Sequence, residues 1–304
     1  MSTPNTNTHP TFIQQACLKV SGFSLLYNKL ERDISLSGRS LSTLKNYSRH
    51  MAQIALYYNQ LPTELDEDQV RDYLWMLQKK TNKPSKSSFK HAVYGLRLLY
   101  RLTGRDDRAI RLPSIPRDHK LPAVLSKQEV KALLKAPRLL KHRVLLALIY
   151  SAGLRMQEVC RLEISDVDFD RMQIHIRQSK GRKDRYVPLS SLMKRGLLTY
   201  LSACKPHHYL FNGKEYGSQL SRKGVQWLMQ DAVSKAGIKK KGICVHTLRH
   251  SYATHLLEDG LDIVSIKELL GHSFLETTLV YLHMAGLGRK APFSPLDTLY
   301  TKEA

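Results

Sequence analysis

Between His246 and Tyr281 the chain sets two imidazoles, a guanidinium and a phenol at short separations. His246-Thr247-Leu248-Arg249-His250 comes first, Leu270-Gly271-His272 follows, and Tyr281 closes the stretch with His283 just behind it. His246 and Arg249 are three apart, so on a helix they share a face and can meet one substrate atom. Val245 belongs to a short apolar run ahead of them, which puts His246 near a helix start. Unpaired backbone N–H groups and the helix dipole favour an anion there. Gly271 breaks the next helix and sets His272 at the entry of a new element. Such a set can do phosphoryl chemistry without a metal. Each residue alone is as readily structural: a helical tyrosine usually packs, and a bare HxxR pattern recurs by chance.

The upstream half of the set adds weight. In Ser151-Ala152-Gly153-Leu154-Arg155-Met156-Gln157-Glu158, Glu158 stands three residues after Arg155 on an expected helix, placed to orient the guanidinium. As a mere exposed salt bridge the pair would contribute little. Gln173 to Gln178 alternates, with Ile174 and Ile176 on one face, and Arg185-Tyr186-Val187-Pro188-Leu189 reads as a second strand. The intervening Ser179-Lys180-Gly181-Arg182-Lys183-Asp184 is then a basic hairpin tip. Tyr209-Leu210-Phe211 is expected to add a third short strand.

These residues need elements to hold them. Residues 1–20 start polar and read as a flexible N-terminal segment, and residues 21–105 as a helical domain. Its best-marked helices carry Leu44, Tyr47, Met51 and Ile54; then Val70, Tyr73, Leu74 and Leu77 behind an Asp66/Gln69 capping box; then Phe89, Val93, Leu96 and Tyr100. On the last of these, Lys86, Lys90, Arg97 and Arg101 form a second stripe, roughly 80° from the apolar one at about 100° per residue. A solvated face is the ordinary explanation, but on a basic background the stripe suits phosphates. Residues 106–121, punctuated by prolines, read as a linker. A second domain, 122–285, opens on the capping box Ser126/Glu129 and contains a strongly apolar helix around Val144–Tyr150; residues 286–304 form a tail.

Composition narrows the partner. The 304 residues are enough for two domains. Lys and Arg number 48 against 26 Asp and Glu, a net charge of +22, and the sequence pI is about 9.9. Residues 1–105 hold 15 basic and 7 acidic side chains, leaving 33 and 19 for the rest, so the excess is +8 and +14. A charge spread over both parts suits a polyanion that contacts both. Cys17, Cys160, Cys204 and Cys244 lack metal-ligand spacing and fit a reduced compartment. There is no HExxH, no long apolar run and no signal-peptide pattern. A soluble cytoplasmic protein with no membrane partner, no metal and no cofactor is the expectation.

Taken together, Ala152-Gly153-Leu154-Arg155 with Glu158, Lys180-Gly181 before Arg185-Tyr186-Val187-Pro188-Leu189, His246-Thr247-Leu248-Arg249-His250, Leu270-Gly271-His272-Ser273 and Tyr281 resemble the tyrosine recombinases of the phage-integrase family. The resemblance spans about residues 122 to 285, and the helices before the linker resemble the family's core-binding domain more loosely. It implies a mainly α fold with a small antiparallel β-sheet, a two-domain clamp on double-stranded DNA. By the same resemblance, Tyr281 attacks a DNA phosphate to give a 3′-phosphotyrosine, which stores the bond energy for rejoining. Arg155 and Arg249 hold the non-bridging oxygens, His246 adds a hydrogen bond and helps deprotonate the phenol, and His272 bonds a phosphate oxygen. Lys180 protonates the leaving 5′-oxygen, with Lys183 on the same tip as the alternative; Arg182 and Lys183 also face DNA. Integration, excision, transposition and dimer resolution all remain open, as do accessory proteins. A homotetrameric synapse is implied, with the Ser294–Tyr300 tail docking on a neighbour. A topoisomerase-like nicking and resealing enzyme shares the same residues, and a DNA-binding regulator without chemistry would not need them.

Overall fold

Apolar residues at helical spacing organise the first of two units, Met1–Asp118. The computed structural model describes residues 10–79, 86–115, 121–177 and 184–285. Within the described part of this unit lie α1 (Phe12–Lys19), α2 (Phe23–Leu36), α3 (Leu41–Tyr58), α4 (Glu67–Lys79), α5 (Lys86–Leu102) and α6 (Asp106–Arg111). The capping box ahead of α4 is formed: the Asp66 and Gln69 backbone N–H groups donate to each other's side chains at 3.0 and 2.7 Å. Met51, Ile54, Val70, Tyr73, Leu74, Val93, Leu96 and Tyr100 are buried together. Gly95 lets α5 approach α3, since a Cβ there would stand 3.1 Å from Met51 Cε.

Three expectations are corrected in this unit. The segment 1–20 is not loose throughout. Thr11 and Gln14 cap α1 reciprocally, and Ala16 and Val20 enter the core. Nor is the linker free from residue 106. Helix α6 carries Asp106 and Asp107 in its first turn and Arg108 and Arg111 in its last, the arrangement its dipole favours, and buries Ala109, with Leu112 buried just past its end. Finally, Arg97 does not belong to a phosphate-facing stripe. Its guanidinium turns inward and donates to the carbonyls of Ala109, Leu112 and Pro113 at 3.2–3.3 Å, tying α5 to the end of α6. Arg105 and Arg108 are likewise occupied, on the carbonyls of Thr63 and Leu65.

The second unit, His119–Ala304, is built around α8 (Leu140–Ser151), five of whose residues are buried. On it pack α7 (Lys127–Lys135), α9 (Met156–Arg161), α10 (Ser191–Cys204) and α12 (Val245–Glu258); α11 (Arg222–Lys235) and α13 (Ile263–Leu270) pack on these neighbours in turn, and α14 (Glu276–Leu279) on α13. The Ser126/Glu129 box caps α7 as read from the sequence. The antiparallel sheet runs β1 (Val167–Asp168), β2 (Gln173–Ile176), β3 (Arg185–Pro188). Ile174 pairs with Val187, and Ile174, Ile176 and Val187 are buried on the inner face. The third strand is therefore β1, not Tyr209–Phe211. That segment makes a single bridge, Tyr209 to Glu163, while Leu210 and Phe211 fill the core. No described helix is long and apolar enough to cross a membrane.

Candidate active site

The site is assembled on the C-terminal end of α13. Eight residues of helix stop at Gly271, whose φ of 62° closes the last turn, and the His272 N–H returns to the Lys267 carbonyl at 3.0 Å. A left-handed residue with a side chain would be strained here, and a Cβ would stand 3.0 Å from Arg185 Cδ. The helix end presents the carbonyls of Leu269, Leu270 and Gly271, where the macrodipole is negative. Three guanidiniums dock on them. Arg185 Nε donates to Leu269 at 2.9 Å, Arg249 Nη2 to Leu270 at 2.5 Å and Arg155 Nη2 to Gly271 at 3.2 Å.

One carboxylate serves two of these cations. Glu158 Oε1 accepts from Arg155 Nη1 at 2.8 Å and from Arg185 Nη1 at 2.9 Å, while Oε2 accepts from Arg185 Nη2 at 2.8 Å. The same Oε2 takes the Arg155 backbone N–H at 2.8 Å. Arg155 is thus the extended N-cap of α9 and not a helical residue, with Glu158 at the third position as its capping partner. Burial alone would raise the Glu158 pKa, but the hydrogen bonds and charge of Arg185, then of Arg155, hold it well below the usual carboxylate range.

Helix α12 supplies Arg249, His246 and His250. Ten of its residues are buried, so it is wedged in the core and not amphipathic. Arg249 is 4% exposed, and its Nη1 donates to the Gly153 carbonyl at 2.6 Å. Burial, then the charge of Arg155, lowers it to about 9, which leaves it cationic at neutral pH. His246 lies one turn before Arg249, and its pKa is lowered by burial and by Arg249 and Arg155.

His272 stands between Arg249 and the last helical turns. Its Nε2 is 3.1 Å from Arg249 Nη2, and its Nδ1 is 2.9 Å from Thr278 Oγ1. A guanidinium has no acceptor, so Nε2 accepts from Arg249 and Nδ1 carries the proton toward Thr278. Burial and the surrounding arginines push His272 down to about 3. Tyr281 sits on a 3-10 turn, Val280–His283, after α14. Its ring is buried, parallel to that of His272 at 6.4 Å, and its hydroxyl is 3.1 Å from His250 Nδ1. Burial raises the Tyr281 pKa against the pull of Arg249 and Arg155.

Arg155, Glu158, His246, Arg249, His272 and Tyr281 therefore meet in one place. Lys180, Arg182 and Lys183 lie outside the described residues, on the connection between β2 and β3; the tail lies outside them too. Lys90 and Arg101 stand on α5 in the first unit, half-buried and exposed respectively, and the Lys86 side chain is outside the described part. Sequence reading missed Arg185, His250 and Thr278 as site members. A lone charge opening an otherwise apolar strand was the available signal for Arg185, and the HxxRH pattern itself the one for His250. Among the described residues no group of three or more His, Cys, Asp or Glu side chains is arranged to hold a metal ion. Three guanidiniums against one carboxylate leave a positive cluster beside a phenol, an arrangement that can bind a phosphodiester and attack it.

Comparison with known proteins agrees with that chemistry. Residues 123–286 match the phage integrase family and residues 26–109 the phage integrase N-terminal SAM-like domain. The tyrosine recombinase XerA of Thermococcus kodakarensis is 37% identical over 260 residues, covering 83% of this chain and 88% of the relative. A putative integrase/recombinase of Sinorhizobium fredii, y4qK, is 34% identical over 277 residues, covering 90% and 89%. Among solved structures, the XerH recombinase in a post-cleavage complex with its difH substrate superposes with a TM-score of 0.67 at 21% identity, over 90% of this chain and 91% of that one. This chain belongs to the phage integrase family, the tyrosine recombinases.

Proposed function

We propose that this recombinase cuts and rejoins duplex DNA at specific sites through a 3′-phosphotyrosine on Tyr281. The observation that carries the reading is the convergence of Arg155, Arg249 and His272 on one helix end beside the Tyr281 phenol. The phenolic oxygen bonds to phosphorus while the bond from phosphorus to the 5′-oxygen breaks. Arg155 and Arg249 hold the non-bridging oxygens, where charge grows in the transition state, and loss of one such preorganised donor costs about 3–4 kcal/mol. Glu158 and the α13 carbonyls fix both guanidiniums before DNA arrives. His246 adds a hydrogen bond to the phosphate, and His272 bonds an oxygen once the DNA anion draws a proton onto Nε2. Lys180, or Lys183 on the same connection, protonates the leaving 5′-oxygen. Both units contact DNA, the first through Lys86, Lys90 and Arg101. Two sites, each held by two protomers, make a homotetrameric synapse in the cytoplasm, with the tail reaching a neighbour.

Covalent capture tests this. The full chain is incubated with duplexes of random sequence carrying a nick, so that a short 5′-hydroxyl fragment diffuses away after cleavage. The expected result is a covalent protein–DNA adduct enriched for one sequence, blocked at the 3′ end and leaving a free 5′-hydroxyl. Adducts at the 5′ end, or capture without sequence enrichment, would contradict the reading. The second outcome would favour a nicking and resealing enzyme.

A further inference from the structure

Two histidines of α12 could serve the nucleophile, and the geometry separates them. His246 and His250 are one turn apart on one face of the helix, their ring centroids 6.4 Å apart. Among the described residues, the hydrogen-bond partner of the Tyr281 hydroxyl is His250, through Nδ1 at 3.1 Å, with ring centroids 5.8 Å apart. We infer that His250, and not His246, takes the phenolic proton as Tyr281 attacks. The inference rests on the recombinase reading above and names the proton acceptor within it.

The step balances. The Tyr281 O–H bond breaks and its proton passes to His250 Nδ1. The freed electron pair forms the bond to phosphorus, and the 5′-oxygen leaves and is protonated from the other side of the phosphate. On rejoining, the 5′-hydroxyl attacks and the Nδ1 proton returns to the departing phenolate. A base is needed because a phenol with an ordinary pKa of about 10 is ionised to only ~0.1% at pH 7, and burial here raises that pKa. His250 has the form a base requires. Burial, His246 and Arg249 bring it to about 4, so the ring is neutral with a lone pair to offer. The charged and titratable groups around it are His246 and Arg249 on its own helix, Tyr281 opposite and His272 beside them. A phosphodiester held by Arg155 and Arg249 sets a negative charge among them, which stabilises the imidazolium formed in the step.

The test uses the full chain and the duplex enriched by covalent capture. His250→Ala removes the acceptor, whereas His250→Asn keeps a hydrogen-bonding atom near the Nδ1 position but cannot take a proton. Both are expected to form the adduct about 10²-fold more slowly, with unchanged affinity for the uncut duplex. The defect is expected to persist on a substrate whose leaving oxygen is replaced by sulfur, which departs without protonation. A full-rate adduct from His250→Ala overturns the assignment. So does recovery in His250→Asn, which would leave only an orienting role, or recovery on the sulfur substrate, which would place His250 on the leaving side. No adduct from the parent chain would sink the recombinase reading itself, and this assignment with it.

Discussion

At the scale of single residues, Glu158 holds the cation cluster together. It is the carboxylate shared by Arg155 and Arg185, and it is buried. Glu158→Gln keeps the shape and deletes the charge, leaving the guanidiniums to repel one another. Breaking such a buried pair typically costs about 3–5 kcal/mol, so urea unfolding should show a loss of that order; a change within ~0.5 kcal/mol would contradict the shared-carboxylate account. The histidines make a second residue-scale prediction. His272, His250 and His50 are pushed to about 3, 4 and 4, below their unfolded value near 6.5. The unfolded chain therefore takes up protons first as pH falls. Stability is full above about pH 6.5 and is lost as pH falls toward the folded values, so Tm should drop steadily from pH 6.5 to 4. A flat Tm over that window would be the contrary result. Much of the site was legible in the sequence because His246, Arg249, His272 and Tyr281 lie within 36 residues. Arg185 was not, because it meets Glu158 across 27 residues and a hairpin, and no local period marks such a meeting.

At the scale of elements, α13 shows how the end of a short helix gathers cations. Its last carbonyls receive three guanidiniums, and Gly271 permits both the turn and the approach of Arg185. Gly271→Ala forces a side chain into left-handed backbone, a cost of roughly 1–2 kcal/mol, and crowds Arg185. The expected outcome is a destabilisation of that size in urea together with slower adduct formation. A variant equal to the parent in both would show that the helix end does not position the arginines. The same scale explains where sequence reading fell short. Capping boxes at Asp66 and Ser126 are local signals and were readable. Helix α6 is six residues of mostly charged sequence, Asp106–Arg111, that buries Ala109 and is met at the Ala109 carbonyl by Arg97 of α5. Nothing in its own period announces it. The N-terminal α1 was obscured by the polar residues ahead of it, although Thr11 and Gln14 carry the cap.

At the scale of the whole molecule, a net charge of +22 does not translate directly into phosphate contacts. Arg97, Arg105 and Arg108 donate to carbonyls of the first unit, and Arg185 is paired with Glu158 through both terminal nitrogens. DNA affinity should still fall with salt, with a log–log slope of several units. Within that total, Arg101→Ala, on an exposed position of α5, should lower the slope by about one. Arg97→Ala should leave the slope alone and lower thermal stability instead. The opposite pattern would return Arg97 to the DNA-facing stripe.

Fifteen tyrosines compete for the role of nucleophile proposed for Tyr281. Tyr252 is the nearest rival in sequence to the histidine–arginine pair, but its ring packs against Gly153, where a Cβ would stand 2.5 Å away, whereas the Tyr281 hydroxyl meets His250 and its ring lies parallel to that of His272. The most direct measurement is mass spectrometry of the protease-digested covalent adduct, which reads the tyrosine that carries the nucleotide. The expected result is a 3′-phosphonucleotide on the peptide containing Tyr281, its loss in Tyr281→Phe, and its persistence in Tyr252→Phe. A nucleotide on any other residue, or an undiminished adduct from Tyr281→Phe, would contradict it.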